Sequence, residues 1–378
     1  MLSCPTLFED SAKIPPATES IKYIGSKLKL LPYILDMISG TDAKVILDGF
    51  SGSTRVSQAL AKSGYQVVCN DISAWSEVFG TCYLLNQNTR STYEPLIQEL
   101  RQTPPKEGWF TNHYGGHSNG GQSVQNDGCK RPWQIHNTMK LDGIRDRIDE
   151  MGLSIIEKSI ALTSLILALD KVDNTLGHYV SYLKQWAPRS YNHLHLEVPR
   201  LYPHDKKHIV HRKDVFDVAG VDVDLAYYDP PYGSNNEKMP PSRVRYASYY
   251  HPWTTICLND KPDLFGKSNR RSDTSDQLAA SVFEEFRRSP STDRFIAVEA
   301  IERLIQKTRA KWIMLSYSSA GRSTAEELNE ILSHSGEVVK VQKIDYQKNV
   351  MAEMKWTNEW IRESNGKHQE FLFLVCKE

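Results

Sequence analysis

One stretch of the chain, Val45 to Asp71, constrains the fold more than any other. Val45–Leu47 is a short apolar, partly β-branched run that ends on Asp48, and the loop Gly49–Phe50–Ser51–Gly52–Ser53 follows it. Thr54 to Ser63 has the pattern of a helix stopped by Gly64, and Tyr65–Cys69 reads as a second strand ending at Asn70–Asp71. A strand, a tight turn, a helix and a second strand in succession open a doubly wound α/β sheet. Glycines let the backbone turn sharply and approach a ligand, and the helix that follows presents free N–H groups. An acidic residue roughly 20 positions after the first strand is placed to bind ribose hydroxyls, and Asp71 is that residue. The loop has only Gly49 and Gly52, not GxGxxG, which disfavours a nicotinamide dinucleotide. Taken alone, the same residues also suit an ordinary βα turn.

The α/β rhythm then stops. Residues 76–200 contain the Gly/Asn/Ser-rich stretch Asn112–Cys129, an expected helix at Leu141–Met151 and an apolar helix at Ile155–Lys171 whose Leu162–Leu169 part reads as core. Strand patterns resume at Ile209–Val210, Val223–Tyr228, Trp312–Ser316, Val338–Ile344 and Phe371–Val375. Helices are expected at Ser26–Ser39, with Pro32 near its first turn, and at Ser275–Arg288, Ala297–Arg309 and Thr324–His334. The division expected is a discontinuous core, 1–75 and 201–378, around a mainly helical and loop insert at 76–200, with 1–19 as a polar, proline-containing tail.

Asp229–Pro230–Pro231–Tyr232 directly follows the apolar strand LAYY. Two prolines stiffen the backbone where it leaves the sheet. Because ligands bind at the carboxyl ends of strands in open α/β sheets, Asp229 and Tyr232 are expected to project into a crevice. The lone pair of an exocyclic purine amine is delocalised into the ring, so the amine is a poor nucleophile. A carboxylate accepting its N–H bonds draws the nitrogen toward tetrahedral geometry and stabilises the positive charge that builds on it. Tyr232 offers a face for stacking. A base inside a duplex reaches such a pocket only by flipping out of the stack.

These residues resemble the amino-methyltransferase superfamily, and specifically the Dam-like, alpha-group adenine DNA methylases, in which a cofactor motif precedes the recognition region and then DPPY. Ile21–Lys27 resembles the family's N-terminal motif, so the resemblance assigns Tyr23, Gly25 and Lys27 to the methionine end of S-adenosylmethionine. It likewise assigns Asp48, Phe50, Ser51, Gly52 and Ser53 to the D-x-F-x-G-S loop, Asp71 to the ribose and Asp214 to the cofactor's adenine amino group. Asp229, Pro230, Pro231 and Tyr232 become the catalytic motif, and Ser316–Tyr317–Ser318–Ser319 with Gly321 resembles the segment lining the target pocket. Tyr250–Trp253 and Asn259–Pro262 are also familiar from this group. Ser53 departs from the glycine many members carry. The fold implied is a Rossmann-like methyltransferase sheet with a recognition insert. The function implied is site-specific methylation of adenine in double-stranded DNA, by a restriction-modification or solitary enzyme.

By elimination the insert carries sequence recognition, and Lys130, Arg131, Trp133, Asn137 and Lys140 are the expected DNA contacts. A net charge of zero is unusual for a phosphate-binding protein, although Arg200–Lys213 and the group Lys267, Arg270 and Arg271 are locally basic. Both groups suit phosphate contacts or a solvated face. His204, His208 and His211 show no metal-ligand pattern and read as surface residues, and the six cysteines form no CxxC pair. Methyl transfer from a sulfonium needs no metal, so none is expected. No apolar run approaches the roughly 20 residues of a membrane span, and a cytoplasmic, nucleoid-associated setting is expected, with no membrane partner. A cognate restriction endonuclease acting on the same site without a stable complex is a compatible partner. RNA or protein substrates stay open, as do two further alternatives. Cytosine amino methylation usually accompanies serine in place of Asp229, and a catalytically dead DNA-binding module would not need Asp229, Tyr232 and the cofactor loop intact.

Overall fold

The computed structural model describes residues 14–180, 182–232, 246–275, 281–346 and 368–377. Its centre is a seven-stranded sheet: β1 (Val45–Asp48), β2 (Gln66–Asn70), β3 (Ile209–His211), β4 (Leu225–Tyr228), β5 (Trp312–Ser318), β6 (Glu337–Tyr346) and β7 (His368–Cys376). The spatial order is β6-β7-β5-β4-β1-β2-β3. Pairing is parallel from β5 across to β3, and β7 runs antiparallel to both β5 and β6.

Alternation along the strands splits the core in two. Leu47, Val68, Ala226, Tyr228, Ile313 and Leu315 point to one face, and Ile46, Val67, Cys69, Leu225, Tyr227 and Met314 to the other. Both faces of β4 are therefore buried, which is why LAYY reads as a continuous apolar run. α1 (Leu31–Ser39) and α2 (Arg55–Lys62) cover the second face through Leu31, Ile34, Ile38, Val56, Ala59 and Leu60. The chain winds outward from β1 to β2 and β3, then returns to place β4 on the other side of β1. Asp48 pairs with Cys69 on one side and Tyr227 on the other. The strand order reverses between β1 and β4, and the crevice beyond their carboxyl ends is where such sheets bind ligands.

Between β2 and β3 lie α3 (Ala74–Gly80), which runs into a π-helical turn Thr81–Leu85, then α4 (Arg90–Gln102), α5 (Trp109–Tyr114), α6 (Ile135–Glu150) and α7 (Ile155–Lys171). Ser154 and Glu157 form a reciprocal capping box that starts α7. Leu162, Leu165, Ile166 and Leu169 are buried, as the apolar pattern predicts. After β3, α8 (Val215–Val218) leads to β4, and α9 (Tyr246–Tyr249) and α10 (His251–Leu258) follow it. Trp253, Ile256 and Cys257 of α10 pack into the same hydrophobic cluster as Phe110, Trp133, Leu141 and Leu165, so a piece of chain beyond residue 201 shares the insert's core. α11 (Ile296–Lys307) and α12 (Ala325–Ser333) cover the first face of the sheet.

Three expectations are corrected. The helix expected at Ser275–Arg288 is absent from its described part, where only a short 3-10 turn, Val282–Glu284, forms behind Ser281; residues 276–280 lie outside the described residues. His204 and His208 are buried rather than on the surface. His204 Nε2 meets the Tyr83 carbonyl and the Val67 amide donates to His208 Nδ1, while burial lowers the His208 pKa to about 4. In the Asn112–Cys129 stretch, the Ser123 amide donates to the Lys184 carbonyl and the Gln125 amide to the Cys129 carbonyl. The helix expected from Leu141 begins earlier, at Ile135.

Of the N-terminal tail, residues 1–13 lie outside the described residues. The part that follows is pinned along α2: Lys62 Nζ donates to the Ala17 carbonyl, Arg55 to Thr18, and Gln58 exchanges hydrogen bonds with the Glu19 backbone. Among the described residues no helix is long and apolar enough to cross a membrane.

Candidate active site

The turn after β1 is fixed from both sides. The Gly49 amide donates to the Tyr227 carbonyl of β4 at 3.0 Å, and the Ser51 amide to the Asn70 carbonyl of β2 at 2.9 Å. A Cβ on Gly49 would sit 2.6 Å from the Tyr228 ring, so a side chain is excluded by packing. Gly52 has φ +46°, in the left-handed region where glycine is favoured, and its amide donates to Asp71 Oδ2 at 2.8 Å. The Ser73 amide holds the other oxygen of Asp71 at 2.8 Å. Asp48 Oδ2 accepts from the Ser57 hydroxyl at 2.6 Å, while its Oδ1 is buried with no hydrogen-bond partner.

At the end of β4 the two prolines carry Asp229 and Tyr232 into the crevice. Lys27, from the 3-10 turn before α1, places Nζ 2.9 Å from Asp229 Oδ1 and 3.4 Å from the Tyr232 hydroxyl. The Tyr232 hydroxyl donates to Glu370 Oε1 of β7 at 3.1 Å, and its ring meets Tyr317 with centroids 5.2 Å apart. Tyr23 stacks on Tyr250 at 4.8 Å and lies against Trp75 and Tyr246, making an aromatic wall beside the glycine turn.

The glycine turn, Asp48, Asp71, Lys27, Asp229, Tyr232, Tyr23, Trp75 and Tyr246 line one cavity of about 590 Å³, and Glu370, Tyr250 and Tyr317 touch that lining from behind. Every residue expected at the cofactor or the reaction lines it: Tyr23, Gly25, Lys27, Asp48, Phe50, Ser51, Gly52, Ser53, Asp71, Asp214, Asp229, Pro230, Pro231 and Tyr232. Asp214 caps α8, its carboxylate accepting from the Phe216 amide at 2.9 Å. At that end Phe216 stacks on Phe283 at 5.7 Å with an interplanar angle of 13°, and the Arg303 guanidinium lies over Phe216.

Sequence reasoning missed Trp75, Phe216, Phe283, Arg303 and Glu370. Phe216 stood two positions after Asp214 and was within reach of the motif. Phe283 and Arg303 become neighbours only through the packing of α11 and the turn before it. The signal at Glu370 is an acid at the start of the otherwise apolar run EFLFLV.

None of the five expected DNA contacts lines the cavity. Trp133 is fully buried with Nε1 donating to the Leu169 carbonyl, and Asn137 is buried with its amide spent on Asn192 and Leu194. Both build the insert's core, which corrects their reading as base contacts. Arg131 is buried and paired with Asp127, and Lys140 Nζ donates to the Arg101 and Thr103 carbonyls. Lys130 is half-buried and bridges to Val124.

Burial and mutual repulsion shape the acids. Desolvation raises Asp229 to about 6, with Lys27 opposing the shift and Glu370 adding to it. Desolvation raises Asp48 to about 7 against the Ser57 hydrogen bond, with Asp229 and Asp71 adding to it. Asp71 is also raised by burial, against the Ser73 and Gly52 amides. Burial disfavours the charge on Lys27, but Asp229 and Glu370 more than compensate and hold its pKa above the usual lysine value. Asp48, Asp71, Asp214, Asp229 and Glu284 line the cavity together with aromatic walls and the cations Lys27, Arg55, Lys213 and Arg303, a lining that suits an aromatic ligand carrying charged groups.

Residues 23–302 match the family described as D12 class N6 adenine-specific DNA methyltransferase. The chain is 30% identical over 350 residues to the modification methylase StsI of Streptococcus sanguinis, covering 87% of this chain and 48% of that protein. It is 27% identical over 333 residues to the type II methyltransferase M.NlaIII of Neisseria lactamica, covering 85% and 90% respectively. With M.FokI of Planomicrobium okeanokoites it shares 26% identity over 384 residues, covering 95% of this chain and 53% of that one. The chain thus spans about half the length of StsI and M.FokI and most of M.NlaIII. On this match, over a sheet whose crevice holds the glycine turn and the DPPY motif, the chain belongs to the D12 class of N6 adenine-specific DNA methyltransferases.

Proposed function

We propose that this chain methylates the exocyclic amino group of an adenine flipped out of duplex DNA, with S-adenosylmethionine as donor, in the Dam-like, alpha-group arrangement. The observation that carries the reading is the single cavity that joins the glycine turn of β1 to Asp229 and Tyr232 at the end of β4. The residues fit a sulfonium nucleoside. Asp48 has a buried oxygen without a partner, a Cβ on Gly52 would press on the Tyr23 hydroxyl in the cavity wall, and the Phe216–Phe283 stack suits a purine. When bound, S-adenosylmethionine supplies an electrophilic methyl carbon on a positively charged sulfur.

The protein's part is orientation and electrostatics. Tyr23, Gly25 and Lys27 hold the methionine end, Asp71 the ribose hydroxyls and Asp214 with Phe216 the purine. Tyr232 stacks on the flipped base, and Asp229 accepts an N–H of the target amine, raising the electron density of its nitrogen. With the donor bound, that nitrogen would be the methyl acceptor and the cofactor's sulfur the leaving atom that keeps the electron pair of the carbon–sulfur bond. The proton lost from the methylated nitrogen passes to solvent. Residues 76–200 supply target recognition, with phosphate contacts that make DNA affinity fall as salt rises. The names of the relatives, modification and type II methyltransferases, support a restriction-modification setting.

The test is transfer of labelled methyl from S-adenosylmethionine to duplex DNA, followed by nucleoside analysis. N6-methyladenine is the expected product. N4-methylcytosine, or no DNA product with the cofactor bound, overturns the proposal.

A further inference from the structure

Glu370 enters the site from β7, outside the residues 23–302 that match the family. It pairs in register with Ser318 at the carboxyl end of β5 and reaches the cavity lining through Tyr232 and Lys27. Only about 10% of that side chain is exposed. Oε1 accepts from the Tyr232 hydroxyl at 3.1 Å, while Oε2 is buried, has no hydrogen-bond partner, and lies 3.8 Å from Lys27 Nζ. Lys27 Nζ itself sits 2.9 Å from Asp229 Oδ1. The ammonium therefore stands between two carboxylates, ion-paired at 2.9 Å with Asp229 Oδ1 and at 3.8 Å with Glu370 Oε2, and neither oxygen has a hydrogen-bond partner.

This arrangement answers a difficulty in the reaction. A carboxylate already bonded to a lysine is a weaker acceptor for an incoming amine, so Lys27 must loosen its hold on Asp229 when the target base arrives. A buried ammonium that gives up its partner without a replacement is strongly unfavourable. We propose that Glu370 is a positioning residue: it is the second seat for Lys27 when the target amine engages Asp229, and it holds the Tyr232 ring in place through the phenol hydroxyl. This rests on the methyl-transfer reading above.

The charged and titratable groups facing Asp229 are Lys27, Glu370, Tyr23, Tyr227, Tyr232 and Tyr246, with Asp48 behind them. Among them Glu370 and Lys27 act in opposite directions on its protonation.

The experiment compares wild type, Glu370→Gln and Glu370→Asp in kcat and in KM for S-adenosylmethionine and DNA across pH, alongside thermal unfolding. Glu370→Gln removes the second seat but keeps the volume. Its kcat is expected to fall at least tenfold with KM for the cofactor within threefold, and its acid limb to move to lower pH. Glu370→Asp keeps the charge with a shorter reach, so its acid limb stays with wild type while kcat falls by less than in Glu370→Gln. Carboxyl-carbon NMR titration of Asp229, identified by its loss in Asp229→Asn, gives a readout independent of turnover: its midpoint drops in Glu370→Gln. Wild-type kcat and an unmoved titration in Glu370→Gln overturn the proposal. So do equal losses in both variants that track only with thermal stability. Should Glu370→Gln fail to fold, Glu370→Asp decides alone, and wild-type kcat in it overturns the assignment. If wild type transfers no methyl to DNA adenine, the function proposed above fails, and the titration still reports separately whether Glu370 controls Asp229.

Discussion

Lys27 Nζ lies 2.9 Å from Asp229 Oδ1 and so ties the segment before α1 to the end of β4, the two sides of the crevice. The pair sets the protonation of the carboxylate. Burial holds Asp229 up at about 6, and the lysine keeps it from rising further. An acceptor for the amine must be ionised, so kcat/KM is expected to fall as pH drops through about 6. Lys27→Met removes the opposing charge, and its acid limb is expected at higher pH than wild type. An acid limb that stays in place in Lys27→Met, measured as kcat/KM for DNA from pH 5 to 9, contradicts this coupling.

Gly49 is needed for close packing, since its missing side chain leaves the room that the Tyr228 ring occupies. Gly49→Ala forces an overlap that the buried ring relieves only by moving, at a cost of about 1–3 kcal/mol in stability. Calorimetric affinity for S-adenosylmethionine should fall together with the unfolding temperature. A variant with both at wild-type values removes the close-packing argument.

Asp48 illustrates a site acid that works against the fold. A carboxyl with a raised folded-state pKa binds its proton more tightly folded than unfolded. Its burial is harmless below the ordinary carboxylate value of 3.8, and the destabilisation grows with pH until it is complete above about 7. Asp48→Asn keeps an oxygen for the Ser57 hydroxyl and carries no charge. Its unfolding temperature is expected to exceed that of wild type at pH 8, with the gap closing toward pH 4. A gap independent of pH counts against ionisation as the cause.

The sheet was largely legible because its signals are local. β1, its turn and β2 are consecutive, and LAYY is apolar throughout because both faces of β4 are covered. The cavity residues expected from sequence were legible for the same reason: each lies within a short motif, before α1 for Tyr23, Gly25 and Lys27, and after a strand for Asp48–Ser53, Asp71, Asp214 and Asp229–Tyr232. Glu370 and Phe283 were not, because their roles come from β7 lying beside β5 and from α11 packing on the sheet, pairings that no short stretch encodes. The insert misled in another way. Trp133 and Asn137 are residue types that read DNA in other settings, but here their polar atoms are spent on Leu169, Asn192 and Leu194 inside the protein.

Trp133 accordingly acts on stability. Trp133→Ala opens a cavity among Tyr114, Tyr179 and Trp253 and is expected to cost about 3–5 kcal/mol in denaturant unfolding. Below its unfolding transition, its DNA affinity at fixed salt should stay within a few-fold of wild type. A selective loss of DNA binding at unchanged stability returns Trp133 to the interface.

The central claim is that the Asp229 carboxylate draws the target nitrogen toward the methyl donor, and Asp229→Ala tests it most directly. Labelled-methyl transfer to duplex DNA is measured beside calorimetric affinity for S-adenosylmethionine. The account predicts a rate at least about a hundredfold lower, as for loss of a key electrostatic group, with cofactor affinity within a few-fold. Transfer retained above about a tenth of wild type, with the cofactor bound normally, contradicts it.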